Sequence, residues 1–183
     1  MNWKIDPTHS EVTFGVRHMM VATVRGRFEA FDATIELDPQ QPELATVTAT
    51  VDVASLATGN ADRDTHLRST DFFDAEQYPT MTFVSQHVER DGAEALTIHG
   101  ALTIRNITHQ VALRGEFSGP VAHLAGGTAI GLSLAGEIDR ELFGLTWNAP
   151  IEAGGVLIGK KVKIGIEAEL IGAQQVSETA PAA

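Results

Sequence analysis

The sequence predicts an all-β fold in which one sheet closes on itself, as a barrel or as a sandwich. The first observation is a period-two hydrophobic pattern that recurs in nearly every segment between Glu11 and Ile171. Alternate side chains of a strand point to opposite faces, so each such run has one apolar and one polar face. The second is that a single stretch, 54–79, departs from the pattern and holds the one short helical candidate. Strands in series with almost no helix to cover them must cover one another. A closed barrel can hold a ligand inside as well as a core.

Taken in order, Val12, Phe14 and Val16 alternate with Thr13, Gly15 and Arg17 in a strand predicted from about Glu11. A second strand covers 31–37 and stops at Asp38-Pro39-Gln40-Gln41-Pro42, because proline cannot serve a central ladder. Val47, Ala49, Val51 and Val53 then alternate with Thr46, Thr48, Thr50 and Asp52. In 81–88 the alternation slips, since Phe83 and Val88 have opposite parity, and a bulge is expected there. Asp91-Gly92 marks a hairpin into Leu96, Ile98, Gly100, Leu102 and Ile104. Gly119-Pro120 and Gly126-Gly127 punctuate the chain before Ile130, Leu132, Leu134, Gly136 and Ile138. Val162, Ile164, Ile166, Ala168 and Leu170 form the last strand, and 173–183 reads as an extension beyond a single domain at 1–172.

The exceptional stretch contains Asn60 as an N-cap before Asp62-Arg63-Asp64-Thr65-His66-Leu67-Arg68, with acids in the first turn. Asp71-Phe72-Phe73-Asp74 follows as a second short turn. The stretch is too long for a hairpin loop, so it is expected to cross one mouth of the barrel, with Phe72 and Phe73 plugging the opening.

Composition narrows the partners. The 183 residues suit one domain, and 13 basic against 24 acidic residues give a formal charge of -11. That balance, without a basic stripe, argues against nucleic acid. Cysteine is absent, which removes disulfides, thiolate catalysis and cysteine metal sites. No run approaches the roughly 20 apolar residues of a membrane-spanning helix. The opening Met1-Asn2-Trp3-Lys4-Ile5-Asp6 has neither a basic nor an apolar leader region, which makes the cytoplasm the expected compartment.

Six ordered motifs carry a family resemblance. They are Trp3-x-Ile5-Asp6-Pro7-Thr8-His9-Ser10-x-Val12-x-Phe14 ending at His18; Val24-x-Gly26-x-Phe28; Arg63-Asp64-x-His66-Leu67; Asp71-Phe72-Phe73-Asp74 with Tyr78-Pro79 and Phe83; Gly100-x-Leu102-Thr103-Ile104-Arg105; and Arg140-x-x-Phe143-Gly144-Leu145. Together they resemble the YceI-like family of polyisoprenoid-binding proteins over roughly 2–172. The resemblance implies an extended lipocalin-like antiparallel β-barrel with one short helical crossing segment, a lumen for a long isoprenoid or similar lipid, and a homodimer. Asn106 stands where the family often has glycine, and asparagine tolerates the same left-handed turn.

The residues point to the same chemistry. An apolar chain entering a preformed lumen needs apolar side chains on one strand face and no catalytic group. Covering one isoprene unit of about 100 Å² gains roughly 2–3 kcal/mol gross, so several units give tight binding after ordering costs. Phe14, Val16, Phe28, Phe83, Leu102, Leu132 and Ile138 are the expected lining, together with Phe72 and Phe73 from the crossing segment. His18 continues the parity of Phe14 and Val16, which aims it inward toward a polar head. Asp64, His66 and Arg63 are placed to cap the mouth, and Arg105 or Arg140 to pair with an oxyanion in a guanidinium fork. The plain structural alternative is that these groups brace loops and fill the core.

Two motifs are rejected. Gly154-x-x-x-x-Gly159-Lys160-Lys161 nearly spells a phosphate-binding loop, but it lacks the metal-binding hydroxyl and leads into a period-two run. Gly131-Leu132-Ser133-Leu134-Ala135 weakly resembles a nucleophile elbow, yet it lies inside a strand. Seven histidines include no His-x-His or His-x-x-x-His pair, and a zinc site from His9, His66 and distant acids has no support in spacing. No cofactor or metal is therefore expected. The expected function is non-catalytic carriage of a polyisoprenoid or other long-chain lipid. The alternatives are an enzyme acting on such a lipid, with Asp64 and His66 as acid–base pair, and a stress-related structural module with a packed interior.

Overall fold

Strand β1 (Asn2–His18) is the spine of the fold, because both of its edges are used along most of its length. The structure, a computed structural model, describes residues 1–124, 126–151 and 154–172; the expected extension at 173–183 lies outside the described residues. On one edge β1 pairs with β10 (Ile158–Gly172). On the other its second half pairs with β2 (Ala22–Phe28) and its first residues with β3 (Phe31–Glu36), so β2 and β3 share one strand position. In the same way β4 (Thr46–Asp52) pairs with β3, and the short β5 (Leu56–Ala57) pairs with β2. The sheet continues through β6 (Thr80–Arg90), β7 (Ala95–Ile104), β8 (Ile107–Ala122) and β9 (Thr128–Asp139) back to β10. The result is a closed eight-strand antiparallel barrel, which leaves no long open edge.

Inward parity follows the predicted runs. Phe14 faces Ile164 and Val16 faces Val162 across β1 and β10, and Leu134 and Ile138 continue the same face on β9. The expected bulge in β6 falls between Ser85 and His87, where one extra residue moves the inward face from Phe83 to Val88. The expected hairpin joins β6 to β7, and Arg105-Asn106 joins β7 to β8 with φ of 51° and 61°, as a two-residue hairpin turn requires.

Two expectations are corrected. β1 begins at Asn2 and not near Glu11, because Trp3 and Ile5 pair opposite Gly172 and Leu170 before the register shifts between Asp6 and Glu11. That shift surrounds Pro7, which has no amide to donate, and it moves the inward face from odd to even residues. Gly119-Pro120 does not end a strand. It sits in the register shift between Ser118 and Val121, and β8 resumes beyond it.

Two apolar clusters pack toward the two ends of the barrel. One holds Trp3, Leu37, Leu96, Phe117, Ile130 and Leu170, at the end where β1 starts and β10 finishes. The Trp3 indole N–H donates to the Leu37 carbonyl at 3.0 Å, which satisfies its polar atom in this buried place. The other cluster, including Phe28, Leu56, Phe72, Met81, Ile104 and Phe143, lies beneath the crossing segment at the opposite end.

The crossing segment contains α1 (Ala61–Arg68), capped by the Asn60 side chain accepting from the Arg63 amide at 2.9 Å. An eight-residue helix is unstable alone, so its position depends on anchors. Arg68 supplies them by donating to the Ala54 carbonyl at 2.8 Å and the Leu56 carbonyl at 2.5 Å. Phe72 is buried among the second cluster, and Phe73 meets Phe28 edge-on at 6.1 Å.

Candidate functional site

Between the two clusters the barrel encloses a cavity of about 290 Å³, at the lower edge of the range for small-molecule sites. Its wall is made by inward residues of every main strand, from Ile5 and Ala168 toward the closed end to His18 and Ile158 at the mouth. Trp3, Phe117, Ile130 and Leu170 lie beyond it and seal the far end. All of the expected lining residues stand on this wall: Phe14, Val16, His18, Phe28, Phe72, Phe73, Phe83, Leu102, Leu132 and Ile138.

Glycines facing inward keep the lumen open. A Cβ on Gly100 would lie 2.5 Å from the Phe83 ring and 2.6 Å from the Val84 carbonyl. A Cβ on Gly136 would lie 2.7 Å from a Leu113 methyl. Large side chains thus settle into recesses of the wall rather than across the channel. The periodicity shows these glycines on the inward face, but not that a neighbour occupies their space.

Of the ionisable residues bordering the cavity, His18, Arg63, His66 and Arg140 gather at the mouth, while Arg17 and Asp32 alternate with inward neighbours and turn their side chains outward. Most are already engaged. Arg63 donates to the Thr58 hydroxyl at 2.7 Å and the Thr58 carbonyl at 2.9 Å. Asp64 accepts from the Thr58 amide at 2.9 Å and its hydroxyl at 2.5 Å, and it is not among the lining residues. His66 meets Asp71 at 2.9 Å and sits edge-on to Phe72 and Trp147. Asp64 and His66, the acid–base pair of the enzymatic alternative, thus enter two separate pairings, because positions two apart on α1 aim the side chains at Thr58 and Asp71.

Arg105 also lies off the lumen. Its guanidinium donates to the Phe72 carbonyl at 2.9 Å and the Gly144 carbonyl at 3.1 Å, and packs over Tyr78. It ties the crossing segment to the loop after β9. Arg140 is 3% exposed and donates to the carbonyls of Gly159, Leu145, Trp147 and Ile158. Burial pulls its pKa below the ordinary guanidinium value, and the nearby charges of Glu141 and Asp139 oppose that shift. Among the described residues every hydrogen bond of the guanidinium goes to a backbone carbonyl, on the wall of an apolar cavity.

The rejected motifs stay rejected: Gly159-Lys160-Lys161 lies in β10, and Gly131 to Ala135 lie inside β9. His9 stands with Asp6 and Glu169, on a different part of the barrel from His66.

A closed antiparallel barrel with an apolar lumen, sealed at one end and lidded at the other, is the architecture of lipocalin-like proteins. This chain belongs to the YceI-like domain family, which it matches over residues 3–170. A UPF0312 protein of Staphylococcus epidermidis is 36% identical over 168 residues, covering 91% of this chain and 95% of the relative. The Campylobacter jejuni YceI protein superposes with a TM-score of 0.76 at 31% identity, covering 86% of this chain and 90% of that one. A polyisoprenoid-binding domain from Saccharophagus degradans shares the fold, with a TM-score of 0.65 at 14% identity over 93% of this chain and 98% of that one.

Proposed function

We propose that this protein binds and carries, without chemical change, one long isoprenoid or similar amphiphilic lipid inside the barrel. The observation that carries the reading is the continuous apolar lumen, closed at the Trp3 end and reached from the α1 end. Burial of each isoprene unit contributes about 2–3 kcal/mol gross against an association cost of about 4–15 kcal/mol, so a multi-unit chain is the ligand that such a wall favours. The polyisoprenoid binding of the Saccharophagus degradans domain supports the same ligand class.

The gathering of ionisable residues at the mouth supports a lipid whose polar head stays beside His18, His66 and Arg140 while its tail points toward Trp3. The engagement of Asp64 by Thr58, off the lumen wall, supports binding over catalysis by an Asp64–His66 pair, since the carboxylate does not face a substrate in the cavity. The test is to extract the purified protein with organic solvent and identify co-purified lipid by mass spectrometry. An isoprenoid near one per chain is expected. A lipid-free protein that also refuses added prenyl lipid contradicts the proposal and favours a packed structural module.

A further inference from the structure

On the outer face of the barrel, well away from the lumen wall, β6 and β7 bring together three side chains with metal-ligating atoms. His87 and Glu89 are two residues apart on β6, so both point outward, and His99 lies directly opposite His87 in the β6–β7 register. The bulge just before His87 sets this parity; without the extra residue, His87 would point inward and the pair would be lost. The imidazoles stack with centroids 4.7 Å apart and planes 11° from parallel. Glu89 reaches both rings, with one carboxylate oxygen 3.1 Å from His87 Nε2 and the other 3.4 Å from His99 Nε2.

We propose that His87, Glu89 and His99 form a binding site for a divalent late transition-metal ion, zinc or copper. Their ligand atoms all lie within 4.8 Å of one another. Bonds of about 2.0–2.1 Å in a tetrahedral zinc shell put ligand atoms roughly 3.3 Å apart, so small side-chain rotations complete the geometry. A second observation points to a missing partner. The His99 side chain is 34% exposed, but its Nε2 atom is buried and has no hydrogen-bond partner among the described residues, since its approach to Glu89 lacks hydrogen-bond geometry. Buried polar atoms are otherwise paired, and a cation seated between the carboxylate and both Nε2 lone pairs would pair this one. Two imidazoles with one carboxylate suit zinc and copper rather than magnesium or calcium, which prefer all-oxygen sites. Three protein ligands leave a position open to water or an external ligand, and the exposed edge of His87 and Glu89 gives access to it.

The test uses the full chain without a histidine tag, titrated by calorimetry with zinc chloride and, separately, copper sulfate at neutral pH. One saturable equivalent is expected for this site, weakened at least tenfold in both His87→Ala and His99→Ala. His9→Ala, which removes a ligand from the separate group of Asp6, His9 and Glu169, is expected to leave that equivalent unchanged. His99→Gln keeps a polar side chain of similar size, and a circular dichroism spectrum matching the parent shows that loss of metal is not loss of fold. Absence of saturable binding overturns the proposal. So does binding that survives both substitutions, or binding that disappears only with His9→Ala.

Discussion

Phe14 lies across the bare α-carbon of Gly26, its register partner on β2, so closely that a Cβ on Gly26 would stand 2.4 Å from the tip of the ring. The recess lets one of the largest lining side chains lie along the wall. Gly26→Ala is expected to turn Phe14 into the lumen and weaken lipid uptake at least severalfold, at a stability cost of about 1–3 kcal/mol. Gly100→Ala should cost stability at the upper part of that range, because the Cβ there also meets the Val84 carbonyl, which cannot swing aside. Urea denaturation of both variants, beside an uptake assay, separates the two effects.

Ala49 lines the lumen between Ala33 and Phe83 on neighbouring strands. Ala49→Phe is expected to fill the channel and block uptake while the barrel keeps its circular dichroism spectrum. Val84→Phe is the matching control, since Val84 is exposed on the outer face, and its uptake should equal the parent's.

Arg140 holds four backbone carbonyls, those of Leu145 and Trp147 in the loop that follows β9 and those of Ile158 and Gly159 at the start of β10. Replacement by Met removes the donors and leaves those carbonyls without partners, at a cost of about 3–5 kcal/mol. Arg140→Lys recovers only part of this, because an ammonium cannot present the same fork of donors. Chemical denaturation of the two variants measures the difference.

Asp6 and His9 form an exposed pair, 2.9 Å apart. The bond to His9 and the Thr8 amide hold the Asp6 carboxyl below its ordinary value, and Asp6, then Glu169, holds the His9 imidazole above its own. The raised histidine contributes fully below the unfolded value of about 6.5 and loses its contribution as pH rises through the folded value. The depressed carboxylate contributes fully above about 3.9 and loses it as pH falls through its folded value. The pair is therefore strongest from about pH 4 to 6.5. In an NMR titration His9 should have its midpoint above about 6.5, and Asp6→Asn should bring it back toward that value.

The barrel was legible because its strands alternate strictly, and the same parity places Phe14, Val16 and His18 on the lumen wall. Parity announced the bulge in β6 through the slip between Phe83 and Val88, but it did not show which residues a bulge pairs, nor the shift near the chain's start. The shift around Pro7 hid the first half of β1, and the pairing of His87 with His99 depends on one extra residue in β6. The roles of Asp64 and Arg105 were also out of reach, since each is decided by a backbone group brought near only by tertiary folding: Thr58 for one, Phe72 and Gly144 for the other. The sequence placed Asp64 at the mouth and offered Arg105 to an oxyanion, whereas their hydrogen bonds go to Thr58 and to the Phe72 and Gly144 carbonyls.

The most direct test of lipid carriage is a methyl NMR titration of delipidated protein with a long-chain prenol. Saturation near one prenol per chain is expected, with the methyls of Leu132, Ile138 and Val162 shifting and those of outward Val84 and Val121 staying in place. Shifts confined to Val84 and Val121, or no saturable change at any methyl, would contradict lipid carriage.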